Sequence, residues 1–375
     1  MPGLLPNVDP EGLLEYSVVF TDRSLNHMSQ TFQKVMNDIS STLKGVYNSA
    51  AVAVIPGGGT YGMEAVARQF AAGQNCLVIR NGWFSYRWTQ IFEMGGIPAG
   101  ETVLKARRQG SDKQSPFSPA PIDEVVAAIH KEKPNVVFAP HVETSAGMIL
   151  PDDYLKTIGD AVHSCGGLFV LDCIASGAIW VDMKACNVDV VISAPQKGWS
   201  GSPCAAMVML SERALEKMDE TQSSSFSCDL KKWYQIMQAY ENGGHAYHAT
   251  MPTDALTVFR NVMKETEQLG FEKVREYQQE LGDKVRAMLS VNSVKSVAAE
   301  GFQAPGVVVC YTDTPEIKSG KAFAAAGMQI AGGVPLMCDE GDDFQSFRLG
   351  LFGLDKLLHI DRTVASLKSV VEKIL

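Results

Sequence analysis

The sequence predicts an α/β protein with a large domain on a mostly parallel sheet and a smaller α+β C-terminal domain. Three observations lead there. From residue 51 onward, apolar strand-like runs alternate with amphipathic helical stretches, as strands joined by helical crossovers do. Two of the runs, Leu168-Phe169-Val170-Leu171-Asp172 and Val190-Val191-Ile192-Ser193-Ala194-Pro195-Gln196-Lys197, each deliver one charged side chain at the C-terminal end. That edge is where open α/β sheets bind ligands. Beyond residue 250 two long helical stretches and isolated strands replace the alternation.

Taken in order, residues 51–55 are an apolar strand broken by Pro56-Gly57-Gly58-Gly59-Thr60, and 61–72 form a helix. Residues 76–79 make a second strand; Asn81-Gly82 turns the chain into a helix through Arg87, Ile91 and Met94. An amphipathic helix over 122–130 precedes Pro134, which cannot continue a helix, and the strand 136–138. The loop 141–147 leads to a helix over 151–165, with Asp152-Asp153 in its first turn and Gly166-Gly167 as its stop, the charge and glycine placement helix ends favour. The strands ending at Asp172 and leading to Lys197 follow, then 205–210. Residues 211–250 look polar and irregular. Helices at 253–269 and 271–289, strands near 307–311 and 347–350, and a closing helix at 360–374 complete the chain. This divides it into an N-terminal segment (1–40) packing near the site, a large domain (41–265) and a small domain (266–375).

Composition narrows the function. The 375 residues are 46% hydrophobic and 20% charged with net charge −9, so a large core is affordable and a nucleic-acid footprint is not expected. Arg107-Arg108 and Lys231-Lys232 are isolated doublets. No apolar run approaches the ~18 residues of a membrane span. The first basic side chain is Arg23, so no signal peptide is evident, and Glu372-Lys373-Ile374-Leu375 is no peroxisomal address. Eight cysteines are scattered singly without a C-x-x-C pair, which argues for reduced thiols and against a disulfide or zinc framework. A cytoplasmic enzyme without a metal is expected.

Gly57-Gly58-Gly59-Thr60-Tyr61-Gly62 lies between a strand and a helix, where glycines let backbone N–H groups approach a phosphate at a helix N-terminus. Read as a dinucleotide fingerprint it needs a carboxylate about 20 positions on; Ile79-Arg80-Asn81 stands there instead. Arg80 keeps an NADP phosphate open, and with it an NAD(P)-dependent oxidoreductase. Lys197 and Asp172 suit pyridoxal phosphate, which needs an amine for its aldehyde and a carboxylate for its ring nitrogen. Taken singly they are a surface lysine after a strand and an aspartate capping a helix.

With these segments in order, the sequence resembles the class V aminotransferases of fold type I, in their alanine–glyoxylate/serine–pyruvate branch, over about residues 45–350. The resemblance rests on Gly57-Gly58-Gly59-Thr60, Asn81-Gly82-Trp83-Phe84, Glu143-Thr144-Ser145-Ala146-Gly147, Asp172-Cys173-Ile174-Ala175-Ser176, Ser193-Ala194-Pro195-Gln196-Lys197, Tyr247-His248-Ala249-Thr250 and Phe347-Arg348-Leu349-Gly350. It implies a seven-stranded, mostly parallel sheet between helices and pyridoxal 5'-phosphate as cofactor. Lys197 and Asp172 would be catalytic. Gly58, Gly59, Thr60, Gln196 and Ile174 would contact the cofactor, with Phe84 stacked on its ring and Thr144 near its phenolic oxygen. Tyr247 and Thr250 would reach the phosphate of a partner subunit in a homodimer with shared sites. Arg348 would bind the carboxylate of an amino acid or 2-oxo acid, the donor being of alanine, serine or aspartate type and the acceptor glyoxylate or pyruvate.

The chain departs from the family near its N-terminus, where Thr21-Asp22-Arg23-Ser24-Leu25-Asn26-His27 replaces a Gly-Pro pair. Arg23 is expected either to meet a second acidic group of the substrate or to pair with Asp22. β-Elimination or desulfuration on the same scaffold stays open too, with Cys338 in roughly the region of a desulfurase cysteine. A non-catalytic binding protein is disfavoured by the lysine–aspartate–arginine set.

Overall fold

The structure is a computed structural model that describes residues 24–374 continuously, together with 11, 13, 16–18 and 21. The first helix, α1 (Gln30–Tyr47), carries no signal in the strand–helix alternation and was not expected from it. It forms because Phe32, Val35, Met36, Ile39, Leu43 and Tyr47 fall on one buried face, the 3.6-residue period of a surface helix. Ser29 caps it by accepting a hydrogen bond from Phe32 N at 3.1 Å.

The central sheet uses β1 (Ala51–Pro56), β2 (Asn75–Arg80), β3 (Gly100–Lys105), β4 (Val136–Pro140), β5 (Leu168–Asp172), β6 (Val190–Ser193) and β7 (Ala205–Leu210). Its order is β1-β7-β6-β5-β4-β2-β3. β7 runs antiparallel to both β1 and β6, and the other pairings are parallel. The sheet is therefore mostly parallel and seven-stranded, as expected. Every residue of β4, β5, β6 and β7 is buried, which explains their continuous apolar runs. The edge strand β3, absent from the sequence reading, is only partly buried; Gly-Glu-Thr-Val-Leu-Lys has no continuous apolar run to betray it.

Helices α2 (Gly59–Phe70), α3 (Trp83–Gly95), α4 (Ile122–Glu132) and α5 (Asp152–Ser164) connect the strands. The expectation of irregular structure over 211–250 is corrected by α6 (Glu212–Glu220) and α7 (Leu230–Glu241). Only Ala214 and Met218 of α6 are buried, so its apolar stripe is too thin to read. In α7, Trp233, Ile236, Met237 and Tyr240 make a full stripe, and Asp229 caps its start by accepting from Lys232 N at 3.0 Å.

Two long helices, α8 (Thr253–Leu269) and α9 (Phe271–Val291), lead to a second sheet of β8 (Val307–Tyr311), β9 (Ala331–Gly332) and β10 (Ser346–Gly350). β10 is central and antiparallel to both neighbours. The closing helix α10 (Ile360–Ile374) packs on α9. The loop after β4 meets this unit directly: Ala304 N donates to Gly147 O at 2.9 Å. Two sheets thus bring strand ends and β10 to one place. Among the described residues no helix is long and apolar enough to cross a membrane.

Candidate active site

Asp172 closes β5, Lys197 follows β6, and Arg348 sits in β10; all three line one cavity of about 360 Å³. Gly59, Thr60, Phe84, Thr144, Ile174 and Gln196 line it too. The structure therefore joins nine of the expected site residues. A larger cavity of about 480 Å³, between Arg80, Lys105 and the segment 333–346, holds none of them.

Asp172 is 6% exposed and accepts a hydrogen bond from Ile174 N at 2.9 Å. Burial pushes its carboxyl up to about 7; the Ile174 N–H opposes this, the Glu143 charge adds to it, and Arg87 pulls it down. Such a group lacks a cation, and no basic side chain among the described residues pairs with it. Burial draws the Lys197 amine below its ordinary range, and the Arg348 guanidinium does the same by like-charge repulsion. An amine tuned this way is suited to exchanging a proton near neutral pH. Arg348 is also lowered by burial, with Glu143 opposing. Its Nε donates to Gly332 O at 2.8 Å, which fixes the guanidinium while leaving the rest of the fork for a ligand.

Opposite these groups α2 begins at Gly59, and its N-cap, Gly58, has no side chain to cap the free N–H groups. A Cβ at Gly59 would strike Ile174 Cδ1, so the helix start sits hard against the residue that follows β5. Thr60 Oγ1 accepts from Arg87 Nη1 at 3.0 Å. The Gln196 side-chain oxygen is buried without a partner. An uncapped helix N-terminus next to an arginine attracts a phosphate. Two cations approach the Phe84 ring, whose centroid lies 5.3 Å from the guanidinium carbon of Arg87 and 5.5 Å from that of Arg348.

Phosphate cradle, flat aromatic, buried carboxylate and depressed amine each complement one part of pyridoxal phosphate, and the residues present fit it.

Phe84 and Thr144 are positioned by a residue to which the sequence reading gave no role. Glu143 is fully buried. Its carboxylate accepts from Phe84 N (3.2 Å), Ser85 N (2.9 Å), Ser145 N (3.0 Å) and the hydroxyls of Ser85 and Ser145 (both 2.7 Å). Gly82 is required beside it, because a Cβ there would strike Ser145 Oγ. Arg87 and Phe352 also line the cavity without having been assigned to it from sequence.

Other expected residues fall elsewhere. Tyr247 and Thr250 share a hydrogen bond of 3.3 Å and line a separate cavity of about 160 Å³ with His27 and Trp233. Within one chain they do not meet Lys197. Arg23 and Asp22 lie outside the described residues. Arg80 is buried, donates to Thr89 Oγ1 at 2.9 Å and lines the other cavity, so the NADP reading loses its cation. Cys338 is buried, its Sγ donates to Arg80 O at 3.4 Å, and burial pushes the thiol up to about 12. That is the reverse of what a nucleophilic cysteine needs.

Comparison with known proteins adds the following. The family model for aminotransferase class V matches residues 13–319. Alanine–glyoxylate aminotransferase 1 of Saccharomyces cerevisiae is 26% identical over 334 residues, covering 83% of this chain and 82% of the relative. L-Aspartate–glyoxylate aminotransferase of Paracoccus denitrificans is 25% identical over 336 residues, covering 83% and 79%. The crystal structure of alanine–glyoxylate aminotransferase from Nostoc sp. superposes with a TM-score of 0.77 at 21% identity, over 92% of this chain and 89% of that one. At that identity the likeness concerns the fold.

Proposed function

Because the chain belongs to the class V aminotransferases, which work with pyridoxal phosphate, we propose that it moves an amino group from a small amino acid to a small 2-oxo acid. The observation that carries this reading is the convergence of Lys197, Asp172 and Arg348 on one cavity. The reported relatives' names carry alanine and aspartate as donors with glyoxylate as acceptor; the resemblance of the sequence motifs adds serine as a donor and pyruvate as an acceptor. When bound, pyridoxal phosphate supplies a ring that accepts the electron pair left on Cα after its proton departs.

The chain's own residues do the rest. Lys197 Nζ would hold the cofactor covalently at rest and, once freed by the incoming amine, would carry the proton from the substrate Cα to the cofactor's aldehyde-derived carbon. Asp172 would keep a proton on the ring nitrogen, gaining the cation its buried carboxyl lacks. The backbone N–H groups of Gly59 and Thr60, with the Gln196 amide, would hold the phosphate. Phe84 would stack on the ring, Ile174 would pack beside it, and the Thr144 hydroxyl would meet the phenolic oxygen. Arg348 takes the α-carboxylate common to every substrate in the cycle, as a paired, charge-assisted contact.

Tyr247 and Thr250 serve the phosphate of a partner subunit in a homodimer. Their support is that they lie together, exposed, away from their own chain's cavity. A cytoplasmic location is supported by eight free cysteines. A small C-terminal unit is supported by the separate sheet of β8, β9 and β10, whereas the expected boundaries at 40/41 and 265/266 fall inside α1 and α8. Arg23 is the candidate for a second acidic group of a dicarboxylic donor.

The test is a screen of purified, cofactor-loaded protein with alanine, serine and aspartate against glyoxylate, pyruvate and 2-oxoglutarate. Formation of the new amino acid is the expected outcome. No transfer for any pair would end this reading.

A further inference from the structure

We propose that Phe352 is the wall that sizes the donor side chain, admitting alanine and serine and rejecting longer aliphatic side chains; this rests on the transaminase reading above. Phe352 lines the same cavity as Lys197 and Arg348, and Lys197 Nζ lies 5.4 Å from its ring centroid. A donor held by its carboxylate at Arg348, with its Cα proton toward Lys197, has its side chain bounded by whatever stands beside that pair. Apart from Phe84, which serves the cofactor ring, Phe352 is the bulkiest apolar group lining the cavity.

The ring is held from behind. A Cβ at Gly306 would lie 3.1 Å from Phe352 Cε1, one at Gly177 3.5 Å from the same atom, and one at Gly350 3.7 Å from Phe352 Cδ2. Two distant backbone segments, at Gly177 and Gly306, therefore approach the ring closely, as does Gly350 at the end of β10. The adjoining backbone is pinned on both sides: Leu351 N donates to Gly306 O at 2.9 Å, and the buried Gln278 donates to Leu351 O at 3.3 Å. The Phe352 carbonyl accepts from Lys356 Nζ at 3.0 Å. A ring fixed this way cannot swing aside for a larger substrate.

Volume points the same way. A cavity of about 360 Å³ is near the lower end of ligand pockets, which run from roughly 300 to 1,000 Å³. It has to hold the cofactor as well as the substrate. In an apolar pocket each methylene is worth roughly 10- to 200-fold in selectivity, so a rigid wall is enough to sort donors by length.

The experiment compares cofactor-loaded wild type, Phe352→Leu and Phe352→Ala. The donors are alanine, 2-aminobutyrate, norvaline and leucine, and the rate of the first half-reaction is followed by the cofactor's absorbance. In the wild type the rate constant should fall at least tenfold from alanine to norvaline. In Phe352→Ala the norvaline-to-alanine ratio should rise at least tenfold, with Phe352→Leu between. An unchanged ratio in Phe352→Ala overturns the proposal; so does equal use of alanine and norvaline by the wild type. If Phe352→Ala does not fold, Phe352→Leu decides by the same ratio. Should the wild type transfer no amino group from any of the four, nor from serine or aspartate, the transaminase reading falls. The wall is then read from the dissociation constants of the same amino acids, with the same tenfold change required.

Discussion

Glu143 Oε2 accepts hydrogen bonds from both the backbone N–H and the hydroxyl of Ser85, at 2.9 and 2.7 Å. One carboxylate thereby ties the start of α3, which carries Phe84, to the loop that carries Thr144. Its charge is met by the N-terminus of α3, with hydroxyl groups completing its shell. Glu143→Gln should therefore do more than remove a charge, since the new amide hydrogens would face N–H donors. Losing part of a buried charged network costs about 3 kcal/mol or more. Urea unfolding should show that loss, and the cofactor should bind more weakly because Phe84 and Thr144 are released together. A loss below about 1 kcal/mol would remove Glu143 as the strut.

Asp172 makes the cofactor-free protein sensitive to rising pH. Its carboxyl titrates near 7 in the folded state against an ordinary 3.8. Between those values the folded state holds the proton and the unfolded state does not, so stability falls as pH rises through the window, by ~1.4 kcal/mol per pH unit at most. Asp172→Asn should remove this loss and leave the cofactor-free protein on the order of a few kcal/mol more stable at pH 8, with little change at pH 4. Denaturation midpoints across pH 4–8 check this. The same variant should lose more than tenfold in turnover, or ~1.4 kcal/mol of barrier.

His141 works in the opposite direction. Burial holds its imidazole down at about 3 against an ordinary 6.5, with Arg275 adding to the effect, and its Nδ1 lies 2.7 Å from Ser176 Oγ. Below 6.5 the unfolded chain binds a proton that the folded one refuses. The stability this group contributes is whole above pH 6.5 and is lost as pH falls toward 3. His141→Gln should flatten the acid side of the stability profile. An unaltered slope between pH 4 and 6 would contradict the burial of a neutral imidazole.

Lys197→Ala should bind the cofactor without covalent attachment and lose amino transfer. In the wild type, borohydride reduction followed by peptide mapping should find the label on Lys197. A label on any other lysine would displace it from the centre of the site.

Arg348→Ala should weaken donor and acceptor alike, because both present the same α-carboxylate. Removing a charge-assisted contact from a partly buried site costs on the order of 2–5 kcal/mol in kcat/KM. Arg23→Ala should instead spare alanine and glyoxylate and impair dicarboxylic donors. Equal losses on both classes would reduce Arg23 to a partner of Asp22.

The sequence by itself determined what is written locally. β5 and β6 were legible because full burial makes each an unbroken apolar run, and a single charge at each end marks Asp172 and Lys197. The glycine loop was legible because a helix start pressed against Ile174 excludes a Cβ. Partial burial hid what runs alone did not show: β3 has polar residues facing water, and α6 buries only Ala214 and Met218. Only the tertiary structure decided which distant groups meet. β10 carries Arg348 to the cavity of Lys197, while Tyr247 and Thr250, matched to the same family, line a different one. Glu143 and Phe352 gained their roles there too, since hydrogen-bond partners and the glycines behind a ring come from segments far apart in the chain. Periodicity and turn chemistry act between near neighbours, whereas burial, desolvation and the proximity of charges are properties of the packed whole.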